Sequence, residues 1–136
     1  MRLRTRALTW LIAAITLAIS GCASSGRVVP LQPQEMARLV GTWQGTVIYP
    51  NGVSWPATLS VYPNGTYAVE AGAFSARGST QVKNGKLDFV NTESGPLTIG
   101  NRSGSATLVD QGSSWGLTGS GWATAGVFNF DFSKPK

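Results

Sequence analysis

The sequence predicts an all-β domain: a small antiparallel up-and-down meander of about eight strands, closed into a barrel, with one short N-terminal helix. Three observations predict it. From Val53 to Tyr62 the odd positions Val53, Trp55, Ala57, Leu59 and Val61 are apolar, while Ser54, Pro56, Thr58 and Ser60 fall between them; that period of two marks a half-buried strand. The tripeptide Pro-Asn-Gly occurs at Pro50-Asn51-Gly52 and again at Pro63-Asn64-Gly65, as if spacing consecutive strands. Finally, 17 glycines, 7 prolines and only 12% charged residues suit short strands and tight turns better than helices.

The domain is preceded by a leader. Arg2, Arg4 and Arg6 stand ahead of an uncharged apolar run from Ala7 to Ile19, which has the order of a secretory signal and is shorter than the ~20 residues that span a bilayer. The exit of this run, Ile19-Ser20-Gly21-Cys22, resembles the lipobox of bacterial lipoproteins, and Cys22 is the only cysteine. The resemblance implies cleavage before Cys22 by signal peptidase II and lipidation of its thiol, with palmitate among the acyl chains. Each buried CH₂ contributes about 0.8 kcal/mol, so two or three chains form a durable anchor. Ala23 in place of Asp implies sorting to the outer membrane of a diderm bacterium, on its periplasmic face. The expected organisation is a signal peptide at residues 1–21, a lipidated tether at 22–32 and one β-barrel domain at 33–136. No intramolecular disulfide is available to the domain.

Within the domain, Met36, Leu39 and Val40 recur at helical spacing, and Gly41 stands where that turn would end. The period then becomes two, with Trp43, Val47 and Tyr49, the Val53–Val61 series, and Tyr67, Val69 and Ala71 all at odd positions. Three-residue loops at both Pro-Asn-Gly sites pair Tyr49 with Val53, Val47 with Trp55, Gly45 with Ala57 and Trp43 with Leu59. They also pair Val61 with Tyr67, Leu59 with Val69 and Ala57 with Ala71. Apolar then meets apolar throughout, whereas a two-residue turn would shift the faces by one. Pro56, which cannot donate to a ladder, falls opposite Gly72, where the third strand runs out. Further strands are expected around an Asn84-Gly85 turn joining Val82 to Leu87, at Ala106 and Leu108, at Trp115 and Leu117, and at Phe128, Phe130 and Phe132. Thr92 to Pro96 reads as a loop.

Gly41-Thr42-Trp43 after a short helical turn resembles the Gly-x-Trp opening of lipocalins and related calycin barrels. That resemblance covers this motif and the meander, and implies kinship of fold with no ligand attached.

The composition excludes several functions. There is no histidine, so the commonest general base and metal ligand is missing. Glu70, Asp88 and Asp131 fall on outward parity and Glu93 and Asp110 at turns, so no converging carboxylate pair is expected. Asn101-Arg102-Ser103 fits a glycosylation pattern that has little meaning in bacterial export. The net charge of +5 includes the leader's three arginines, and the remaining basic residues are scattered, which argues against nucleic acid as a partner. The glycines of Gly112 to Gly121 match no phosphate loop and read as turns and strand crowding. The sequence therefore predicts a non-catalytic protein without metal or cofactor. Trp43, Trp55 and Trp115, with the small inner row Gly45, Ala57 and Ala71, are the candidate lining of a ligand site, unless Trp115 or a phenylalanine fills that space. A hydrophobic small molecule or envelope component is the first expected partner. A protein partner is the second, with the domain acting as a periplasmic protease inhibitor or an accessory subunit of an envelope complex.

Overall fold

The computed structural model describes residues 26–94, 103–123 and 126–136; Cys22 and the leader lie outside them. Nine strands follow in chain order: β1 (Arg27–Val29), β2 (Gly41–Ile48), β3 (Ser54–Val61), β4 (Thr66–Ala71), β5 (Phe74–Lys83), β6 (Lys86–Ser94), β7 (Ser103–Asp110), β8 (Ser114–Ala123) and β9 (Gly126–Pro135). From β2 to β9 each strand pairs antiparallel with the next, and β9 returns to pair with β2. The result is the expected up-and-down barrel of eight strands, closed, with one short helical segment before it. That segment is a 3₁₀ turn at Pro33–Glu35 running into α1 (Met36–Leu39), and Gly41 follows with a φ of 131° that favours glycine.

The register is the one that three-residue loops impose. β2 and β3 pair Trp43 with Leu59, Gly45 with Ala57 and Val47 with Trp55; β3 and β4 pair Val61 with Tyr67, Leu59 with Val69 and Ala57 with Ala71. In the first loop the Tyr49 N–H donates to the Val53 carbonyl at 2.9 Å and the Gly52 N–H to the Tyr49 carbonyl at 2.8 Å. The second loop repeats the pattern at Tyr62, Thr66 and Gly65. Gly52 and Gly65 have φ of 84° and 82°, the left-handed position of a G1 bulge. The asparagines contribute as well: Asn51 and Asn64 each accept, through Oδ1, the N–H two residues on, at 3.0 Å. The β3–β4 ladder ends at Ala57–Ala71, so Pro56 meets no partner there. At Asn84-Gly85 both φ values are positive, 52° and 76°, as a type I′ turn requires.

Two expectations change. Arg27–Val29 pair with Leu108–Asp110 of β7, and Leu31 is buried, so strand pairing and core packing begin inside the stretch read as tether. The hairpin at Asn84-Gly85 leaves that part of β7 without a neighbour, and β1 supplies one. Likewise β6 continues to Ser94 instead of breaking at Thr92, which also places Glu93 in a strand. A register shift between Arg77 and Gly78 lets β6 go on pairing after Asn91, and such bulges have no apolar signature in sequence. All nine strands and the described core lie within residues 26–136.

The helix closes one end of the barrel. Leu31, Leu39, Trp43, Leu59, Val61, Leu87, Leu108 and Leu117 are fully buried. The Trp43 indole N–H donates to the Leu39 carbonyl at 2.9 Å, satisfying both a buried donor and a helix-end acceptor. Lys134 reaches under the helix from β9, donating to the carbonyls of Arg38 and Val40 at 2.9 and 2.8 Å. Its ammonium lies 4.9 Å from the centre of the Trp43 ring, and its burial holds the amine below the ordinary lysine range.

Replacing Gly52 or Gly65 with valine forces a β-branched residue to positive φ, and each change is expected to destabilise the domain by about 1–3 kcal/mol in urea titration. Unchanged midpoints would contradict the turn geometry.

A candidate binding cavity at the open end

The alternation that closes the barrel also decides where room is left inside it. Cross-strand rows run around the wall. One of them sets Phe89 of β6 beside Gly104 of β7, Gly121 of β8 and Phe128 of β9. Two adjacent inward positions without side chains leave space in front of them. A cavity of about 80 Å³ occupies it, lined mainly by Val69, Phe74, Phe89, Phe128 and Phe130, with Trp122 at its edge. It lies toward the end opposite the helix, which is open among the described residues and where the β2–β3, β4–β5 and β8–β9 connections gather, with the β6–β7 connection at that end outside the described residues.

One polar pair interrupts the apolar wall. In the row Tyr67–Gly78–Asn91 the central residue has no side chain, so the Tyr67 ring crosses it and the hydroxyl donates to Asn91 Oδ1. A Cβ on Gly78 would collide with the Val90 carbonyl oxygen; close approach of β6 thus requires the glycine that also opens the way for Tyr67. Tyr67 packs edge-on against Phe89, with ring centres 4.9 Å apart. Burial raises its phenol well above the ordinary tyrosine range, so it stays neutral and able to donate. Ser103 lies at the cavity margin.

None of the six residues singled out in the sequence lines this cavity. Trp43 is sealed in the helix end. Gly45 faces β9, where a Cβ would collide with the Asp131 carbonyl oxygen. Ala57 and Ala71 are buried, and the space over Ala71 is taken by Tyr49, whose hydroxyl donates to the Ala71 carbonyl at 2.6 Å. Tyr49 in turn meets Phe128 edge-on at 5.2 Å, and Phe128 stacks with Phe74 at 5.4 Å. Trp55 has inward parity but stands above the last complete row, 42% exposed, over the β4–β5 turn at Gly72. Trp115 lies at the helix end between two cations, with Arg38 and Lys136 at 5.1 and 4.2 Å from its ring. Lys136 also pairs with Asp110 at 2.6 Å. That ammonium, ahead of the Gly112 N–H, holds the exposed Asp110 carboxyl below its ordinary range.

Tyr49, Phe74 and Phe128 therefore occupy the space beside the small inner row, and a cavity opens where glycines 104 and 121 face inward. Among the described residues no group of His, Cys, Asp or Glu is placed to hold a metal. No family model, curated protein or solved structure matches the chain.

The two regions respond oppositely to added volume. Ala57→Leu overpacks a filled site and is expected to cost about 1–3 kcal/mol in a urea melt. A Cβ on Gly121 meets its nearest atom, the Gly104 Cα, at an ordinary 3.6 Å, so Gly121→Ala should leave stability unchanged or raise it by up to about 1 kcal/mol. The reverse order would contradict the placement of the cavity.

Proposed function

We propose that this protein is a lipid-anchored envelope lipoprotein, non-catalytic, whose barrel binds a hydrophobic small molecule or envelope component through its open end. The observation that carries the reading is the Gly104–Gly121 cavity, an apolar recess with a neutral hydrogen-bonding pair in its wall, the composition expected of small-molecule sites. Its volume of about 80 Å³ is far below the ~300–1,000 Å³ of pockets that engulf a drug-sized ligand. It suits one short apolar segment, with the rest of the ligand lying across the rim.

The anchor and the mouth sit at opposite ends. β1 pairs with the end of β7 nearest the helix, and five residues from Cys22 to Arg27 reach at most about 17 Å. The helix end therefore faces the anchoring leaflet, and the mouth faces the periplasm of a diderm host, away from the outer membrane.

A second reading, as an interaction module such as a protease inhibitor or an accessory subunit, draws on the rim. Ile48, Val53, Trp55, Trp122 and Val127 are exposed there, and the β2–β3 loop leans on the β8–β9 hairpin, where Pro50 adjoins Gly126.

Cys22→Ser should abolish metabolic palmitate labelling and block maturation; unlabelled wild type, or labelled mutant, would overturn the anchor. For the cavity, Gly121→Leu in residues 26–136 should retain the fold while weakening binding of N-phenyl-1-naphthylamine at least about tenfold, or ~1.4 kcal/mol. Equal dye binding in both proteins would move the function to the rim.

A further inference from the structure

We infer that the cavity selects neutral amphipathic molecules, taking a short apolar end between Phe89, Phe128 and Phe130 and meeting a carbonyl or hydroxyl of the ligand with the Asn91 carboxamide. The inference rests on the cavity-binding reading above and specifies its ligand.

The hydrogen-bond directions carry the argument. The Tyr67 hydroxyl donates to Asn91 Oδ1, so the carboxamide oxygen is engaged and the NH₂ group, which donates to no described residue, is the part that can meet a ligand acceptor. Tyr67 thus acts as a positioning residue and Asn91 as the contact. The donors stand in an apolar recess, where a ligand acceptor that met them would lose little by leaving water. Among the described lining residues none carries a charge, and the buried phenol remains neutral. A carboxylate entering this wall would surrender its hydration to neutral donors alone, whereas an alcohol, ester or amide would surrender far less. The cavity's size adds a second limit: about 80 Å³ is roughly half of an engineered 150 Å³ cavity that accepts benzene. The end of an alkyl chain enters the cavity whole, leaving the polar group near Asn91 and the remaining chain against exposed Trp122, whereas a fused-ring dye enters only in part and lies across the same rim.

The test is displacement of N-phenyl-1-naphthylamine from residues 26–136 by 1-decanol, methyl decanoate and decanoate at pH 8. The two neutral compounds are expected to act at concentrations at least about tenfold lower than decanoate. The potency of decanoic acid should fall about tenfold per pH unit above the acid's own pKa, since only its protonated form enters. Asn91→Leu should raise the dissociation constant of decanol by about tenfold relative to the dye's own, with both measured directly on the same variant. Asn91→Ser serves as a smaller second variant should the leucine disturb folding. Tyr67→Phe should weaken decanol binding by a smaller factor of about threefold, because it frees the carboxamide to rotate. Decanoate as potent as decanol, or decanol binding untouched in the Asn91 variants, overturns the inference while leaving the cavity a binding site. Absence of dye and decanol binding in the wild type overturns both.

Discussion

Closure of eight strands into a ring is the constraint on which the rest of this structure depends. A barrel of this strand number has an interior just wide enough for its inward side chains to fill. Its contents are therefore set row by row, and room appears only where a row lacks side-chain volume. The pairing of β9 with β2 fixes the circumference, and the Pro-Asn-Gly loops fix which residues share a row. Given those two facts, the helix end must be full: Trp43, Leu59, Leu108 and Leu117 meet there, and each large buried side chain contributes about 1.5–3 kcal/mol. The open end has Gly104 and Gly121 side by side, and so it has a cavity.

The two ends thereby acquire different tasks. At the helix end, polar groups are tied internally: the Trp43 indole and the Lys134 ammonium are satisfied by carbonyls of the segment Arg38–Val40, and Trp115 is clasped between Arg38 and Lys136. These contacts bind the last strand to the segment that leads into β2. At the other end Asn91 stands in the cavity wall and the large apolar side chains Trp55 and Trp122 are exposed. The fully buried side chains are concentrated where the chain enters, and the cavity lies at the end farthest from that entry.

Much of the barrel was legible because its signals are local. Alternation gives the faces, and the repeated turn tripeptide gives the loop length; together they determine every pairing from Trp43 to Ala71. Type I′ geometry at Asn84-Gly85 follows from the dipeptide. What escaped were features that depend on partners distant in sequence. β1 is a strand because the Asn84-Gly85 hairpin leaves part of β7 unpaired, and nothing in Arg27–Val29 announces that. The bulge that extends β6 past Asn91 is a property of two strands jointly. The candidate site fared worse for the same reason. Gly45, Ala57 and Ala71 form a true small row, but Tyr49, Phe74 and Phe128 occupy the space beside it. The glycines that do open a cavity, 104 and 121, belong to strands whose alternation is faint. Asn91 left a usable trace: it continues the inward parity of Leu87 and Phe89, and a polar residue there is a candidate contact.

On the proposed reading, a ligand enters the barrel interior at the end that carries Gly104 and Gly121. The most direct measurement is an amide ¹H–¹⁵N correlation spectrum of residues 26–136 titrated with 1-decanol, with the indole N–H resonances followed alongside. The account predicts shifts confined to Phe89, Asn91, Ser103, Gly104, Gly121, Phe128 and the Trp122 indole, saturating together, while the Trp43 and Trp115 indoles stay fixed. Shifts centred on the helix end, or no saturable shift at all, would contradict it.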